Sequence, residues 1–393
     1  MPKGGTIDFD STRPPSPFLN ETHAQWRREL RRFIEKEIMP FVDEWDEAGE
    51  FPLELYKKAS EFGLTRIGYP EEYGGISQGT DRFFGIVTSE EMARIGAGGI
   101  GASLMVHGIG LPPIIALGTD EMKQMVVPPV LAGDKHISLA ITEPSGGSDV
   151  AQLKTRARRD GDDYIVNGSK MFITGGMRAD WITTAVRTGG EGAGGVSLLL
   201  IDAHTPGVTR NKLKKQGWWA SDTAEIFFDD VRVPASNLIG GENQGFMGIM
   251  QNFNGERLGM AAGCCGSARV CLEDAVKWAQ ERVTFGKRLA DHQVIRHKIA
   301  EMVRQINATT AYLEMCAWRV MQGERPAADL ALLKVQATLT LEFCAREAMQ
   351  IMGGTGYMRG SRVERIYREV RVNAIGGGSE EILRDLAARQ LGL

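Results

Sequence analysis

The sequence has few of the features that mark several classes of protein. Its 393 residues include only five cysteines, an odd number without CxxC spacing, so neither a disulfide framework nor a zinc site is predicted. The formal net charge is only -4, whereas nucleic-acid binders usually carry a basic excess, so DNA or RNA binding is disfavoured. The six histidines show no metal-ligand spacing, and no metal site is expected.

Long apolar runs are also scarce. The most apolar stretch, residues 101–117, is interrupted by His107 and by Pro112 and Pro113, and it is short for a bilayer. We therefore expect a buried helix there and no membrane span. Residues 1–18 carry prolines and acidic residues but no apolar core of a secretory signal, so a cytoplasmic protein with reduced, buried thiols is expected.

The spacing of apolar residues changes twice along the chain. It is helical at first, as in Trp26, Leu30 and Phe33, becomes a series of short β-rich runs after His136, and is helical again beyond Gly245. Since no helical repeat separates the β-rich runs, antiparallel pairing is favoured over a Rossmann arrangement. The predicted fold is a multidomain α+β protein with these parts: a loose arm over residues 1–20, an N-terminal helical bundle of four to six helices over 21–135, a central antiparallel β domain over 136–240, and a C-terminal four-helix bundle over 241–393.

Five sequence motifs carry chemical information. In the first, AITEPSGGSD, glycines with Thr142 and Ser148 supply backbone amides and short hydroxyls that can approach a planar cofactor and a phosphate closely. On its own this motif is more typical of a tight hairpin loop than of a cofactor site. The motifs, in chain order, are AITEPSGGSD at 140–149, KMFIT at 170–174, SDTAEIFFDDVRVP at 221–234, RVTFGK at 282–287 and QIMGGTGY at 350–357.

In this order and over nearly the whole chain, the motifs closely resemble those of the acyl-CoA dehydrogenase family. The resemblance implies an FAD-dependent enzyme of fatty acid metabolism and β-oxidation that desaturates a fatty or branched acyl-CoA to the trans-2-enoyl-CoA. It also implies electron-transfer flavoprotein as the acceptor and a homotetramer built as a dimer of dimers.

The resemblance also assigns contacts to the cofactor. Phe172 stands where a Trp is frequent, and either aromatic presents a flat face to the isoalloxazine ring. Arg282 and Phe285 would reach the FAD of a neighbouring subunit, although Arg282 alone is typical of a solvated helix end. The full set of predicted FAD contacts is Ile141, Thr142, Ser148, Phe172, Thr174, Arg282, Phe285, Gln293 near the adenine, Gln350, Gly353 and Gly354 near the pyrophosphate, and Ser379 and Glu381 in the last loop and helix.

The usual catalytic base of the family is missing. Its position, just before a Gly-Ser pair, is occupied here by Gly377. Glu380 and Glu381 follow the turn and open the last helix, where carboxylates favour the helix dipole, so neither is predicted to be the base. The chain instead resembles the branch with isovaleryl-CoA and long-chain dehydrogenases, whose base lies on the first helix of the C-terminal bundle, and Glu256 is the matching residue.

Burial would raise the pKa of Glu256 and make it a better base, although most helix glutamates are simply solvated or paired. The resemblance further places the Gly377 backbone N–H against the thioester oxygen, and assigns Ser148 and Arg257 to the substrate. Two alternatives stay open: an acyl-CoA oxidase that passes electrons to oxygen, and a non-catalytic flavin or acyl-CoA binding protein that lost its base at Gly377.

Overall fold

The computed structural model describes residues 7–393, except for the side chains of residues 251, 252 and 254. The chain forms two compact units. The first comprises the chain up to Glu44, Thr80–Gly98 and Glu256–Leu393, and the second comprises Trp45–Gly79 and Gly99–Gly255.

Helices occupy both ends of the chain. Eight of them lie between residues 21 and 131, more than the four to six predicted, because glycines and the Pro112-Pro113 pair divide the apolar stretch near residue 110 into three short helices. Within residues 7–393 the α-helices are α1 (Glu21–Glu37), α2 (Val42–Ala48), α3 (Glu54–Phe62), α4 (Arg82–Ala93), α5 (Gly98–Leu104), α6 (His107–Gly110), α7 (Pro112–Leu117), α8 (Asp120–Leu131), α9 (Gly245–Glu281), α10 (Gln293–Met321), α11 (Ala327–Met352), α12 (Gly354–Tyr357), α13 (Arg362–Ile375) and α14 (Glu380–Gln390).

The second unit contains an eight-stranded sheet. Its strands are β1 (Ile137–Ala140), β2 (Arg156–Asp160), β3 (Asp163–Thr174), β4 (Trp181–Arg187), β5 (Val196–Asp202), β6 (Val208–Lys212), β7 (Thr223–Pro234) and β8 (Leu238–Ile239). Their order is β6-β7-β3-β2-β4-β5-β8, with β1 beside β4. Most pairs are antiparallel, as predicted, but β1 and β2 both run parallel to β4. A separate two-stranded hairpin, β9 (Val283–Thr284) and β10 (Lys287–Arg288), belongs to the first unit.

The core of the first unit is formed by the C-terminal helices. Helix α11 packs against α10, α13 and α14, and small side chains such as Ala261, Ala268 and Ala345 let neighbouring helices approach closely. Ion pairs join α1 to α4, since Arg27 donates to Glu91 at 3.0 Å and Arg31 donates to the same carboxylate at 2.9 Å. All five cysteines are free and buried, as predicted.

The described part of the N-terminal arm is packed rather than loose. Phe9 is buried in the core of the first unit, and its N–H donates to Glu273 at 3.1 Å. Arg13 donates to the buried Glu90 at 2.6 Å. The prediction of a loose arm is therefore wrong for residues 7–20, because an aromatic anchor and a buried ion pair fix the chain there; residues 1–6 lie outside the described part.

The core of the second unit lies on both sides of its sheet. Strand β5 is buried along its whole length from Val196 to Ile201, which is typical of a strand covered on both faces. Among the described residues no single helix is long and apolar enough to cross a bilayer; one bent pair, Gly98–Leu104 with His107–Leu117, meets that test by length and composition only.

Candidate active site

Helix α9 carries the predicted base, Glu256, on a partly buried stretch. The carboxyl is half-buried, and burial raises its pKa to about 7, against the opposing charge of Arg257. Met260 lies one helical turn further along, so the two side chains share a face of α9. Most of this carboxyl is thus removed from water and titrates near neutrality.

The same face of α9 meets the glycine loop, residues 376–378, within the first unit. A Cβ placed on Gly377 would lie 2.7 Å from the Met260 sulfur, which leaves no room for a side chain without a shift of the methionine. Gly377 also has φ of +68°, in the left-handed region that favours glycine. A side chain at position 377 would therefore be strained and would require Met260 to move, whereas Glu256 lies one turn from the residue that contacts this loop.

Two basic side chains lie beside the backbone carbonyl oxygens of the glycine loop. Arg257 is buried, and its Nε lies 3.5 Å from the Gly377 carbonyl oxygen, at the long limit of a hydrogen bond. Lys334 of α11 is fully buried, and its Nζ donates to the Gly378 carbonyl at 2.8 Å. Sequence reasoning missed Lys334, because only the fold brings α11 beside a loop 44 residues away.

The residues that follow the loop begin the last helix. Ser379 is the N-cap of α14, where its hydroxyl accepts from the Ile382 N–H at 3.4 Å. Glu380 pairs with Arg384 at 3.0 Å, and Glu381 is exposed with its pKa lowered by its own backbone N–H and by Ser379. Both acids lie at a helix N-terminus, as the sequence predicted.

In the second unit, the predicted cofactor loop of residues 141–148 is anchored by a buried ion pair. The ammonium of Lys170 donates to Glu143 at 2.8 Å and to the Ile141 carbonyl at 3.0 Å, while Glu143 also accepts from the N–H groups of Lys154 and Thr155. Residues 146–148 beyond this anchor are exposed, and the Thr142 side chain is half-buried. Sequence reasoning missed this ion pair, although both residues lie inside the quoted motifs.

The aromatic ring of Phe172 is exposed at an irregular point of strand β3. Phe172 lies in a bulge between Lys170 and Ile173 of β3, with φ of +63° and 64% of its surface exposed. A bulky residue in the left-handed region is strained, and such strain concentrates at functional sites. Thr174, two residues on, is half-buried at the end of the strand. An exposed aromatic face beside a glycine-rich loop fits a planar cofactor such as FAD.

The remaining predicted FAD contacts lie on the surface of the first unit. Phe285, at the tip of the β9–β10 hairpin, is 98% exposed with φ of +51°. All of the others in this unit except Ser379, which is half-buried, are exposed: Arg282 after α9, Gln293 at the start of α10, Gln350 near the end of α11, Gly353 and Gly354 at the junction with α12, and Glu381 in α14.

The fold and these clusters define a class of protein: an enzyme with a β domain between two helical regions of the chain. Three family models match it in order: the acyl-CoA dehydrogenase N-terminal domain over residues 20–134, the middle domain over 138–231 and the C-terminal domain over 243–392. The chain belongs to the acyl-CoA dehydrogenase family, whose members are oxidoreductases.

Relatives align over almost the full length. An acyl-CoA dehydrogenase of Alternaria alternata is 40% identical over 98% of this chain and 96% of its own. The long-chain specific acyl-CoA dehydrogenase of rat mitochondria is 37% identical over 95% of this chain and 87% of its own. A crystal structure of a probable acyl-CoA dehydrogenase from Mycobacterium abscessus is 47% identical, with a TM-score of 0.93 over 95% of this chain and 99% of that one.

The family predicted from the motifs is thus confirmed, and so is its cofactor. Acyl-CoA dehydrogenases are FAD-binding flavoproteins. One solved structure, a glutaryl-CoA dehydrogenase from Mycobacterium smegmatis at 28% identity and a TM-score of 0.89, covering 95% of each chain, contains FADH2. The individual site residues remain predictions.

Proposed function

We propose that the protein desaturates an acyl-CoA between its α and β carbons, with Glu256 as the base that removes the α-proton. The observation that carries this proposal is the burial of a carboxyl with a pKa of about 7 on the face of α9 that meets the glycine loop. A general base is most effective when its pKa lies near the working pH.

Three groups take part in the proposed reaction: a base, a hydrogen-bond donor and the flavin. The ionised Glu256 accepts the proton as the α C–H bond breaks, and the Gly377 N–H donates to the thioester oxygen on which negative charge develops. Fixed donors of this kind contribute several kcal/mol to a transition state. Bound FAD supplies the hydride acceptor, so that the β C–H bond breaks with its electron pair and the double bond forms.

The first unit offers further support for the placement of the base. Gly377 supplies no carboxylate at the position that resembles the usual base of the family, and a side chain there would have to displace Met260. Arg257, predicted to contact the CoA side of the substrate, has its Nε near the Gly377 carbonyl and is placed to support the loop as well.

The proposal extends to the assembly and to the electron acceptor. Phe285 is 98% exposed in the single chain and strained in its backbone, which supports its predicted contact with the FAD of a neighbouring subunit and hence a homotetramer. Electron-transfer flavoprotein is the proposed acceptor and fatty acid β-oxidation the proposed setting. Rapid reoxidation of the reduced flavin by air would instead identify an oxidase.

The experiment is anaerobic bleaching of the flavin by a panel of straight, branched and aromatic acyl-CoAs, with the parent and the Glu256→Gln variant. The parent should bleach with at least one of them, and Glu256→Gln should slow bleaching by about 10³-fold or more while retaining FAD. The matched control is Glu314→Gln. Glu314 of α10 is also a buried helix glutamate whose pKa is raised by burial, but it lies outside the site. Equal bleaching rates in Glu256→Gln and the parent contradict the proposal.

A further inference from the structure

The glycine loop needs an anchor that its own sequence does not supply. Gly377 and Gly378 both have positive φ, +68° and +103°, and glycine visits many conformations at similar energy. The preceding helix ends at Ile375, and the Gly376 N–H caps it by donating to the Val372 carbonyl at 2.7 Å. Gly377 and Gly378 lie between this cap and the next helix, which begins at Glu380. If the Gly377 N–H is to meet a thioester oxygen, a contact from outside the loop has to set its conformation.

Lys334 makes that contact. Its side chain is completely buried in α11, and its Nζ donates to the Gly378 carbonyl at 2.8 Å. Lysine is among the residues least often buried, because desolvation of an ammonium costs several kcal/mol. Among the side chains that the structure describes, it makes no ion pair, so its direct hydrogen-bond partner is the loop carbonyl.

The charges around Lys334 come from two other helices. Arg257 and the Cys264 thiol face it from α9, and Glu380 and Glu381 face it from α14. Burial lowers the pKa of Lys334 to about 8, so the amine is mostly protonated at neutral pH and donates a charge-assisted hydrogen bond. Such a bond is roughly twice as strong as a neutral one, which suits it to hold a flexible backbone.

We propose that Lys334 is a positioning residue: its hydrogen bond to the Gly378 carbonyl holds the glycine loop in the conformation that presents the Gly377 N–H to the thioester oxygen. This inference rests on the proposed function, since it assigns a purpose to the Gly377 N–H. It differs from a purely structural tie between α11 and α14, because it predicts an effect on the acidity of the bound substrate.

The test uses a 3-thiaacyl-CoA, in which sulfur replaces the β carbon so that no hydride can leave. The α C–H bond can still break: its proton passes to Glu256, its electron pair moves onto the thioester oxygen, and the flavin stays oxidised. Charge transfer between the enolate and the oxidised flavin gives a long-wavelength absorption band. The pH at which half of the bound analogue is ionised measures how well negative charge on the thioester oxygen is stabilised. The rate at which the band appears measures how fast the base removes the α-proton.

We expect Lys334→Met to raise that midpoint by about one pH unit, a tenfold loss of acidity, with FAD retained. Lys334→Gln, whose amide is too short to reach the carbonyl, should shift the midpoint in the same direction and serves if the first variant does not fold. Thr338→Val is the matched control, because Thr338 is buried one turn along α11 and its hydroxyl donates to the helix carbonyls of Lys334 and Val335.

The outcomes separate this inference from the proposed function. An unchanged midpoint in a folded Lys334 variant overturns the positioning role, as does an equal shift in Thr338→Val. Failure of the proposed function has another signature: Glu256→Gln would produce the band as fast as the parent, whatever the Lys334 variants do.

Discussion

Two glutamates, the buried Glu143 in the second unit and the half-buried Glu256 in the first, have pKa values shifted in opposite directions. Burial opposes ionisation of Glu143, but the Lys170 ammonium and two backbone N–H groups outweigh it and hold the pKa of this carboxyl below its usual range. At Glu256, in contrast, burial dominates, because the neighbouring Arg257 charge offsets only part of it, and the pKa rises to about 7. The first arrangement makes a permanent anion that anchors a loop, and the second makes a group that can exchange a proton near neutral pH.

Two buried lysines extend the same contrast. Lys170 has Glu143 as a hydrogen-bonded counter-ion, whereas Lys334 donates to a backbone carbonyl. Burial lowers the pKa of each amine to about 8. The second unit therefore pairs its buried ammonium with a carboxylate that anchors the predicted cofactor loop, whereas the first places its buried ammonium on the backbone of the loop that we propose faces the thioester.

The largest loss of stability is expected when the buried ion pair between Glu143 and Lys170 is broken. Glu143→Gln leaves the Lys170 ammonium buried without its counter-ion, which should destabilise the protein by about 3–5 kcal/mol and weaken FAD retention. Urea unfolding and the FAD content of purified protein measure this. The double change Glu143→Leu with Lys170→Met removes both charges and should recover much of the loss. If Glu143→Gln is as stable as the parent, the pair is not an anchor.

The next effect concerns the pH dependence of catalysis. Because Glu256 must be ionised to accept a proton, the second-order rate constant for flavin reduction at low acyl-CoA should fall about tenfold per pH unit below 7 and level off above it. Anaerobic stopped-flow from pH 5 to 8.5 records the profile. Glu314→Gln should preserve the curve, and a flat profile in the parent would remove Glu256 from the reaction.

A smaller effect is expected in how the free energy of unfolding depends on pH, because Glu256 titrates differently in the folded and unfolded states. The pKa of Glu256 is higher in the folded state, about 7, than its ordinary value of 4.5. The folded protein therefore binds more protons between these two values, and the parent loses stability as pH rises through that window. Glu256→Gln does not titrate, so its stability relative to the parent should increase by about 1–2 kcal/mol between pH 4.5 and 8. Parallel urea denaturation at both pH values checks the sign, and a decrease contradicts the burial of this carboxyl.

The smallest effect concerns the aromatic face of the second unit. Phe172→Ala removes the ring and should weaken FAD binding about tenfold, while Phe172→Trp keeps a flat face and should bind within about twofold of the parent. Quenching of FAD fluorescence on titration into apoprotein gives both values. Equal affinity for all three proteins would show that the exposed ring does not stack on the flavin.

Much of the fold followed from local sequence. The long helices α9, α10 and α11 lie where the apolar spacing predicts helix, beyond Gly245, because long amphipathic segments carry a strong periodic signal. Strands β2 and β6 carry little sequence signal, since Arg156–Asp160 and Val208–Lys212 contain charged residues and are largely exposed. Their place in the sheet depends on pairing with β3 and β7.

The residues of the candidate site also fall into two groups, those that could be predicted from the sequence and those that could not. Glu256 and Gly377 could be singled out by resemblance, because each matches a position that carries the catalytic base in a branch of the family. The supporting contacts of Lys334, Met260 and Glu143 could not, since they depend on which helix or strand lies beside which loop. The left-handed backbone of Phe172 was equally hidden, because a bulge in β3 is set by the partner strand β7.

The most direct test of the central claim is the exchange of substrate α-hydrogen with solvent. The holoenzyme is incubated anaerobically in D2O with a 3-thiaacyl-CoA, and deuterium at the α carbon is followed by mass spectrometry. The parent and Glu314→Gln should exchange this hydrogen at similar rates, and Glu256→Gln should slow the exchange by about 10³-fold or more. Exchange by Glu256→Gln at the rate of the parent would show that another group takes the proton.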